Sequence, residues 1–526
     1  MMGTLMGGQS TIGTAQLAFS FGISAWWFTI GAALGAVVLA VFYARPIRRS
    51  GCSTLLEIVA REYGRKAETV GSLLFLIGIF ISIVAQVLSS SAMIGALFRL
   101  PMLWAAIIGA VLVVLLVLFG GIKSAGAGGI VKLVLLYTSS LAAGGVVLYL
   151  AGDLGGLYHG IESAYTSPTL RAVNDLPLQA GADIDIHQRY GNMLARGPLK
   201  DLGGCLSLVL GVVTTQTYAQ CIWMGATTRK ARRGALYCAF FIPFIGAACT
   251  LVGMYMRGHY VTADELTALQ AAGESLPVGM GVIDNSAQAF PAFILLHLPP
   301  WLGGVVLGAM LINVLGAASG LSLGAATIVV RDVAGNLATF FRKVLPSRQS
   351  SASHKVHLST LAGTRLAIVG ILIVAVAVAN LFHGSFINDL GFLSLGLRAV
   401  ALLFPLSFAL WLPGRFSARG VLLAMPSGTA AMLLGKAFDL PGDPVYYGLM
   451  VSLLAILCFR NKKAGGALGG DGVNGMDGMD GTMLSPRTVA SLVGASSLPP
   501  ATKMTASATT PTVSSASMTR RSLLCM

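Results

Sequence analysis

The 526-residue sequence predicts an all-α polytopic membrane protein with about twelve transmembrane helices. Charged residues make up only 10% of the chain, whereas a soluble chain is usually about a quarter charged. The mean hydropathy of +0.79 is too high for a protein whose whole surface meets water. Apolar stretches of about 18 residues or more, the length that crosses roughly 30 Å of hydrocarbon, recur along most of the sequence.

Glycine, proline and charged residues divide the apolar sequence into individual spans. Five are predicted near 3–18, 22–43, 69–97, 101–119 and 131–151. After a polar loop of about 50 residues, seven more are predicted near 204–225, 235–256, 301–330, 364–382, 391–411, 420–436 and 445–459. The sequence beyond these spans is rich in Gly, Ser, Thr and Met, which predicts a disordered tail.

The distribution of charge predicts the orientation of the chain. A net charge of +15 does not indicate nucleic-acid binding here, because the bases lie between spans. With a cytosolic N-terminus, Lys and Arg concentrate in the inner loops, where Lys132, Arg229 and Lys230 are placed, and most acidic residues fall outside. We therefore expect a multi-pass protein of the plasma membrane with both termini in the cytosol. The seven scattered Cys predict neither a disulfide framework nor a metal centre.

Ionisable residues inside spans are costly, which makes them functional candidates. No Asp or Glu lies well inside a predicted span, so an intramembrane enzyme and a carboxylate proton relay are both disfavoured. Arg398 is the one basic residue deep in a span. Its guanidinium either reaches back to the outer headgroups or faces a central cavity, where it could bind a substrate carboxylate.

Three polar segments interrupt otherwise apolar spans: GGQSTIGTAQ at 7–16, TTQTYAQ at 214–220 and GAASGLSLGAAT at 316–327. The first two favour unwound stretches whose free backbone groups face a cavity. The third fits either close helix packing through small residues or ion binding. Gln86, an isolated amide in an apolar helix, fits a helix–helix hydrogen bond or a functional role.

Four segments resemble the sodium:solute symporter family: GTAQLAFSFGISAWW, STLLEIVAREYGRK, QTYAQCIWMGATTRKARRGAL and LPPWLGGVVLGAMLINVLGAASGLSLGAATIVVRDV. The resemblance covers about residues 3–460 and implies a five-plus-five inverted repeat with two broken helices. The implied regions are 1–151 for the first repeat, 152–203 for an extracytoplasmic loop, 204–411 for the second repeat, 412–460 for two additional helices and 461–526 for a disordered cytosolic tail.

The resemblance also implies sodium-coupled symport of a small organic solute by alternating access, with no organic cofactor. The solute-binding residues would be Gln9, Ser10, Gln216, Thr217, Tyr218 and Arg398. The sodium-binding positions would be Leu5, Met6, Gly8, Gly316, Ala317 and Ser319. A solute carrying a carboxylate is an expectation that depends on Arg398 alone.

The family's sodium site uses two adjacent hydroxyl residues on its long helix, and those positions fall here on Gly316 and Ala317. This departure leaves a proton-coupled or uncoupled carrier of the same fold as an alternative. A transporter-like membrane sensor is disfavoured, because such proteins normally carry a signalling domain and the tail of this chain is of low complexity.

Overall fold

The computed structural model describes residues 1–174, 183–330, 353–382 and 384–459. The predicted tail at 461–526 and Asp332, the last acidic residue of the family-like segment, lie outside these ranges. Within them the chain is almost entirely helical, and the only strands are a short parallel pair, β1 (Tyr260–Thr262) and β2 (Gly281–Ile283).

The first part of the chain forms seven α-helices before the polar loop. A π-helical turn at Gln9–Gly13, a 3-10 turn at Gly22–Trp26 and a second π-helical turn at Leu39–Tyr43 lie between them. The helices are α1 (Met2–Leu5), α2 (Thr14–Phe21), α3 (Trp27–Val38), α4 (Ala44–Arg49), α5 (Leu55–Tyr63), α6 (Arg65–Phe98) and α7 (Met102–Ala151).

The polar loop and the second part of the chain supply the remaining helices, with a 3-10 turn at Ser286–Gln288. They are α8 (Leu154–Ala164), α9 (Pro168–Val173), α10 (Asp183–Gly191), α11 (Pro198–Thr214), α12 (Gln216–Met224), α13 (Thr228–His259), α14 (Ala263–Ala271), α15 (Ala289–His297), α16 (Pro300–Ile328), α17 (Ser353–Leu381), α18 (Ile387–Trp411), α19 (Ala418–Ala437) and α20 (Pro444–Cys458).

Among the described residues, eight helical segments are long and apolar enough to cross a membrane, and the bent pair α11 and α12 makes a ninth. Two shorter apolar stretches also occur: Met102–Val117, which is the first part of α7, and Pro444–Cys458, which is α20. One of the eight, Gln9–Arg49, contains the second predicted span and overlaps the first from Gln9 onward. The all-α membrane class is thus confirmed, while the number of twelve spans stays a prediction.

Helix α7 differs from the sequence prediction. We expected two spans, near 101–119 and 131–151, with a basic loop between them, but Met102–Ala151 is one continuous helix of 50 residues. The intervening sequence contains several glycines and no proline, so each residue keeps the amide that a helix requires. Lys132, expected in a loop, consequently lies on a helix and faces α16.

Helix α18 lies at the centre of the bundle and has the most deeply buried apolar segment of the candidate spans in the described chain. It packs against α6 and α11. Gly211 on α11 permits the second contact, because a Cβ there would lie 2.5 Å from the Cβ of Leu395. Small residues at such crossings let membrane helices approach closely.

The described part of the polar loop that follows α7 packs against the end of α2 and the start of α3. The Tyr190 hydroxyl donates to the Phe19 carbonyl at 3.3 Å, and the Trp27 indole donates to the Met193 carbonyl at 2.6 Å. Nearby, the buried Arg257 guanidinium pairs with Glu265 at 2.8 Å. Burial by itself raises the pKa of the Glu265 carboxyl, but Arg257 and further hydrogen-bond donors hold that pKa below its usual value.

Candidate solute and cation site

The first helix is interrupted at Met6–Gly8. Helix α1 ends at Leu5, Met6 is extended with φ −93° and ψ 116°, and a π-helical turn resumes at Gln9. The Ser10 hydroxyl closes the break, because it accepts from the Gly7 amide at 3.0 Å and donates to the Gly7 carbonyl at 2.8 Å. The sequence predicted an unwound stretch within 7–16. The interruption is shorter, since Gln9–Gly13 keeps i to i+5 hydrogen bonding.

Helix α6 supplies an acceptor for one backbone amide of this break. The Gly8 amide donates to the side-chain carbonyl of Gln86 at 3.0 Å. Glycine is required for the contact, because a Cβ on Gly8 would lie 2.3 Å from the Cβ of Ser89. Gln86, whose role the sequence left open, is thus the side chain that binds the first break. A lone amide in an apolar helix was the signal for it.

The second interruption lies at Thr215, which is extended with φ −86° and ψ 122° and joins α11 to α12 at a bend of 48°. Gln216, predicted to bind solute, instead accepts from the Leu55 amide at 2.8 Å and so holds the start of α5. Thr217 is exposed, whereas Tyr218 is buried and lies within electrostatic range of Arg398. The two broken helices meet where α1 packs against α12.

Arg398 is only 2% exposed and its guanidinium points into the bundle. The alternative that this side chain reaches back to the lipid headgroups is therefore excluded. Its Nη2 donates to the hydroxyls of Ser82 and Ser394 at 2.7 and 2.6 Å. Its Nη1 donates to the Thr215 hydroxyl at 3.4 Å, which ties Arg398 to the second break. No carboxylate pairs with Arg398 among the residues that the structure describes, and its Nε has no partner there.

One face of α6 connects these features. Gly78, Ser82, Gln86 and Ser89 follow the helical spacing i, i+4, i+8 and i+11, and we call them the α6 polar stripe. Ser82 and the Gly78 carbonyl bind Arg398, while Gln86 and Ser89 contact Gly8. Four residues of helix separate Ser82 from Gln86, which is about 6 Å along the axis. The stripe therefore bridges Arg398 and the first break.

Gln9 lies beside α18, with its Cδ 3.4 Å from where a Cβ on Gly391 would be. Its Nε2 is buried and has no partner among the described atoms. Of the predicted solute-binding residues, Gln9, Ser10, Tyr218 and Arg398 thus surround the region between the breaks. Gln216 and Thr217 are directed elsewhere.

One of the predicted cation positions on α16, Ala317, lies against the first break. Helix α16 packs against it, because a Cβ on Gly7 would lie 3.2 Å from the Cβ of Ala317. The Ser319 hydroxyl donates to the Gly316 carbonyl at 2.9 Å, within its own helix. The Gly8 carbonyl accepts from Gly13. Within the described chain no hydrogen bond is made to the carbonyls of Leu5 and Met6, which remain as candidate ligands.

Two further polar residues near this position were missed by the sequence analysis. The Nζ of Lys132 lies 3.3 Å from where a Cβ on Gly316 would be. Asn313, one helical turn before Gly316, is fully buried, and neither atom of its amide has a partner in the described structure. A polar amide in the apolar sequence of α16 was a usable signal for Asn313. Lys132 was not recognised as a candidate because the sequence analysis predicted that it lies in a loop, where basic residues are common.

Comparisons with known proteins place most of the sequence in one family. The model of the sodium:solute symporter family matches residues 1–428. The high-affinity choline transporter 1 of Torpedo marmorata is 24% identical over 339 residues, which cover 63% of this chain and 52% of that protein. The uncharacterized symporter YwcA of Bacillus subtilis (strain 168) is 25% identical over 275 residues, covering 52% of this chain and 50% of the relative. The matched region thus spans about half the length of these relatives.

A solved structure has the same overall fold. A sodium-coupled sialic acid symporter, in a substrate-bound outward-open state, superposes with a TM-score of 0.57 at 15% identity. The match covers 88% of this chain and 89% of that one. The family match over most of the sequence and the long apolar helices of the described chain identify a multi-pass membrane protein. The chain belongs to the sodium:solute symporter family.

Proposed function

We propose that this protein transports a small organic solute across the plasma membrane by alternating access, in symport with sodium and with both termini in the cytosol. One observation carries the proposal: the α6 polar stripe joins the first break to Arg398, and Arg398 in turn contacts the second break. Two interrupted helices around a shared polar region are the arrangement that secondary carriers use for solute and ion.

The solute would bind between Gln9 and Arg398. A buried guanidinium whose partners are all neutral favours an anionic ligand, and a carboxylate could accept two parallel hydrogen bonds from it. The unpartnered Nε of Arg398 and Nε2 of Gln9 are donors available for such a group. The same charge disfavours a quaternary ammonium solute, although choline appears in the names of two relatives.

Family membership favours sodium as the coupling ion, and the carbonyls of Leu5 and Met6 are the oxygen ligands that it would use. A second candidate, a proton-coupled or uncoupled carrier, is favoured by one observation. Gly316 and Ala317 have no side-chain oxygen to complete a sodium site.

The test is uptake of radiolabelled solutes into proteoliposomes that contain the purified protein. We expect carboxylate solutes to accumulate under an inward sodium gradient, and choline to be excluded. Uptake driven by a pH gradient and indifferent to sodium would favour the second candidate. If no solute in a broad panel of carboxylates accumulates under either gradient, the proposed transport of such solutes is wrong.

The role of Arg398 is tested in the same assay with Arg398→Gln. We expect the half-saturating concentration of a carboxylate solute to rise at least thirtyfold, because losing one partner of a buried charge pair costs about 2–5 kcal/mol. Arg415→Gln is the matched control, since Arg415 is exposed in the structure. If Arg398→Gln and the control bind the carboxylate solute with equal affinity, Arg398 does not bind the solute carboxylate.

A further inference from the structure

Lys132 approaches the position that the family resemblance assigns to sodium. We propose that the Lys132 ammonium, which lies against Gly316, competes with sodium for the cation position between the first break and α16. The inference rests on the proposed function only in placing a cation site there. It concerns a residue that the family resemblance does not implicate.

The contact with α16 depends on the absence of a side chain at Gly316. The Nζ, Cε and Cδ of Lys132 lie 3.3, 3.8 and 3.9 Å from where a Cβ would be, so the end of the lysine side chain lies along the glycine. A serine at this position would place its Cβ against the ammonium and its hydroxyl further into the same space. Residue 316 therefore accommodates either a hydroxyl ligand for sodium or the lysine.

The surroundings suit a cation. The adjacent residue, Ala317, faces Gly7 of the first break, beside the free carbonyls of Leu5 and Met6. The fully buried amide of Asn313 supplies another oxygen without a partner among the described residues, one turn away on α16. Carbonyl oxygens of this kind accept from an ammonium and also coordinate sodium, so both ions would use the same set of acceptors.

The charge balance makes the two cations mutually exclusive. Helix α16 has no titratable residue, and Lys132 has no ion pair with any acid in the described part of the chain. Two like charges within about 4 Å in a partly buried site repel by far more than thermal energy. Sodium can therefore bind beside Gly316 only when the lysine side chain withdraws, which weakens the apparent sodium affinity.

The experiment measures binding of sodium-22 to the purified protein in lipid nanodiscs, with no solute present. We expect Lys132→Met and Lys132→Gln to bind sodium at least tenfold more tightly than the unmodified protein, and Lys132→Arg to stay weak. Adding Gly316→Ser to Lys132→Met supplies a hydroxyl ligand and should tighten binding further. Lys230→Met is the matched control, because Lys230 is exposed.

Unchanged sodium affinity in both neutral variants, with the protein monodisperse, would overturn the proposal. The absence of sodium binding in every variant, including the double substitution, would overturn it as well. Because the assay contains no solute, this outcome is separable from a failure of the transport proposal, which is judged by uptake alone. A neutral variant that gains sodium binding supports Lys132 as the competitor whether or not a solute has been found.

Discussion

The contact between the first break and α6 predicts a specific steric cost for Gly8→Ala. Gly8 has φ −60° and ψ −33°, a conformation that alanine adopts readily, so the substitution causes no backbone strain. The added Cβ, however, would lie 2.3 Å from the Cβ and 2.4 Å from the Oγ of Ser89. Carbon atoms normally approach to about 3.5–4.0 Å, so the overlap exceeds 1 Å by this reasoning. Overpacking of this kind costs about 1–3 kcal/mol.

A double-mutant cycle isolates this contact. Ser89→Gly removes both atoms that the new methyl group meets, leaving the side-chain oxygen of Gln86 at 3.1 Å. We expect the pair Gly8→Ala and Ser89→Gly to recover about 1–3 kcal/mol relative to the sum of the single changes. The free energy of unfolding is measured by denaturant titration in mixed micelles. Gly308→Ala is the control, because a Cβ at Gly308 would meet nothing within 4 Å.

Two results would refute the reasoning. If Gly8→Ala is as stable as the Gly308→Ala control, the first break does not lie against α6 at this distance. If Gly8→Ala is destabilised but Ser89→Gly gives no recovery, the steric partner is a different residue. In either case the α6 polar stripe could not bridge the break and Arg398 in the way described.

Three more predictions follow from the described contacts. Gln86→Leu leaves the Gly8 amide without its acceptor and should cost about 1–3 kcal/mol of unfolding free energy, whereas Gln86→Glu keeps an acceptor and should cost less in the same titration. Gln216→Ala should lower stability by about 1 kcal/mol and leave solute half-saturation in uptake unchanged, since Gln216 bonds the start of α5; a raised half-saturation would contradict this. In the folded protein the pKa of the Glu265 carboxyl lies below its unfolded value of about 4.3. The stability that this shift contributes is present above the unfolded pKa and is lost as the pH falls through the folded pKa. Glu265→Gln should therefore flatten the acid limb of a thermal-unfolding profile.

The sequence was sufficient to locate both helix breaks and Arg398, and the reason is physical. Hydrocarbon penalises every polar group that has no partner, so a glutamine, a hydroxyl cluster or an arginine inside an apolar span must have a local explanation. GGQSTIG and TTQTYAQ violate the apolar pattern strongly enough to be seen without coordinates. Arg398 was visible for the same reason, although only the structure could show that its guanidinium turns inward.

The direction of each side chain could not be predicted in the same way. Gln216 and Tyr218 are two residues apart, yet the first bonds α5 and the second is buried near Arg398. That difference depends on the 48° bend at Thr215 and on which helices pack beside it. Lys132 was misplaced because basic residues usually mark loops. A 50-residue helix has no local signal that would separate it from two spans joined by a glycine-rich turn.

If ion and solute bind as proposed, the α6 polar stripe gives them a common structural element. Coupling requires that each ligand favour the same conformation of one element, so that binding of the first lowers the cost of ordering it for the second. Gln86 holds the first break, where the cation position lies, and Ser82 holds Arg398, where a solute carboxylate would bind. A carrier that opens by moving the broken helices away from α6 must release hydrogen bonds at one or both ends of the stripe. Ligands at the two sites would therefore stabilise the same closed arrangement. The part of α6 that connects the sites, from Ser82 to Gln86, is about 6 Å long.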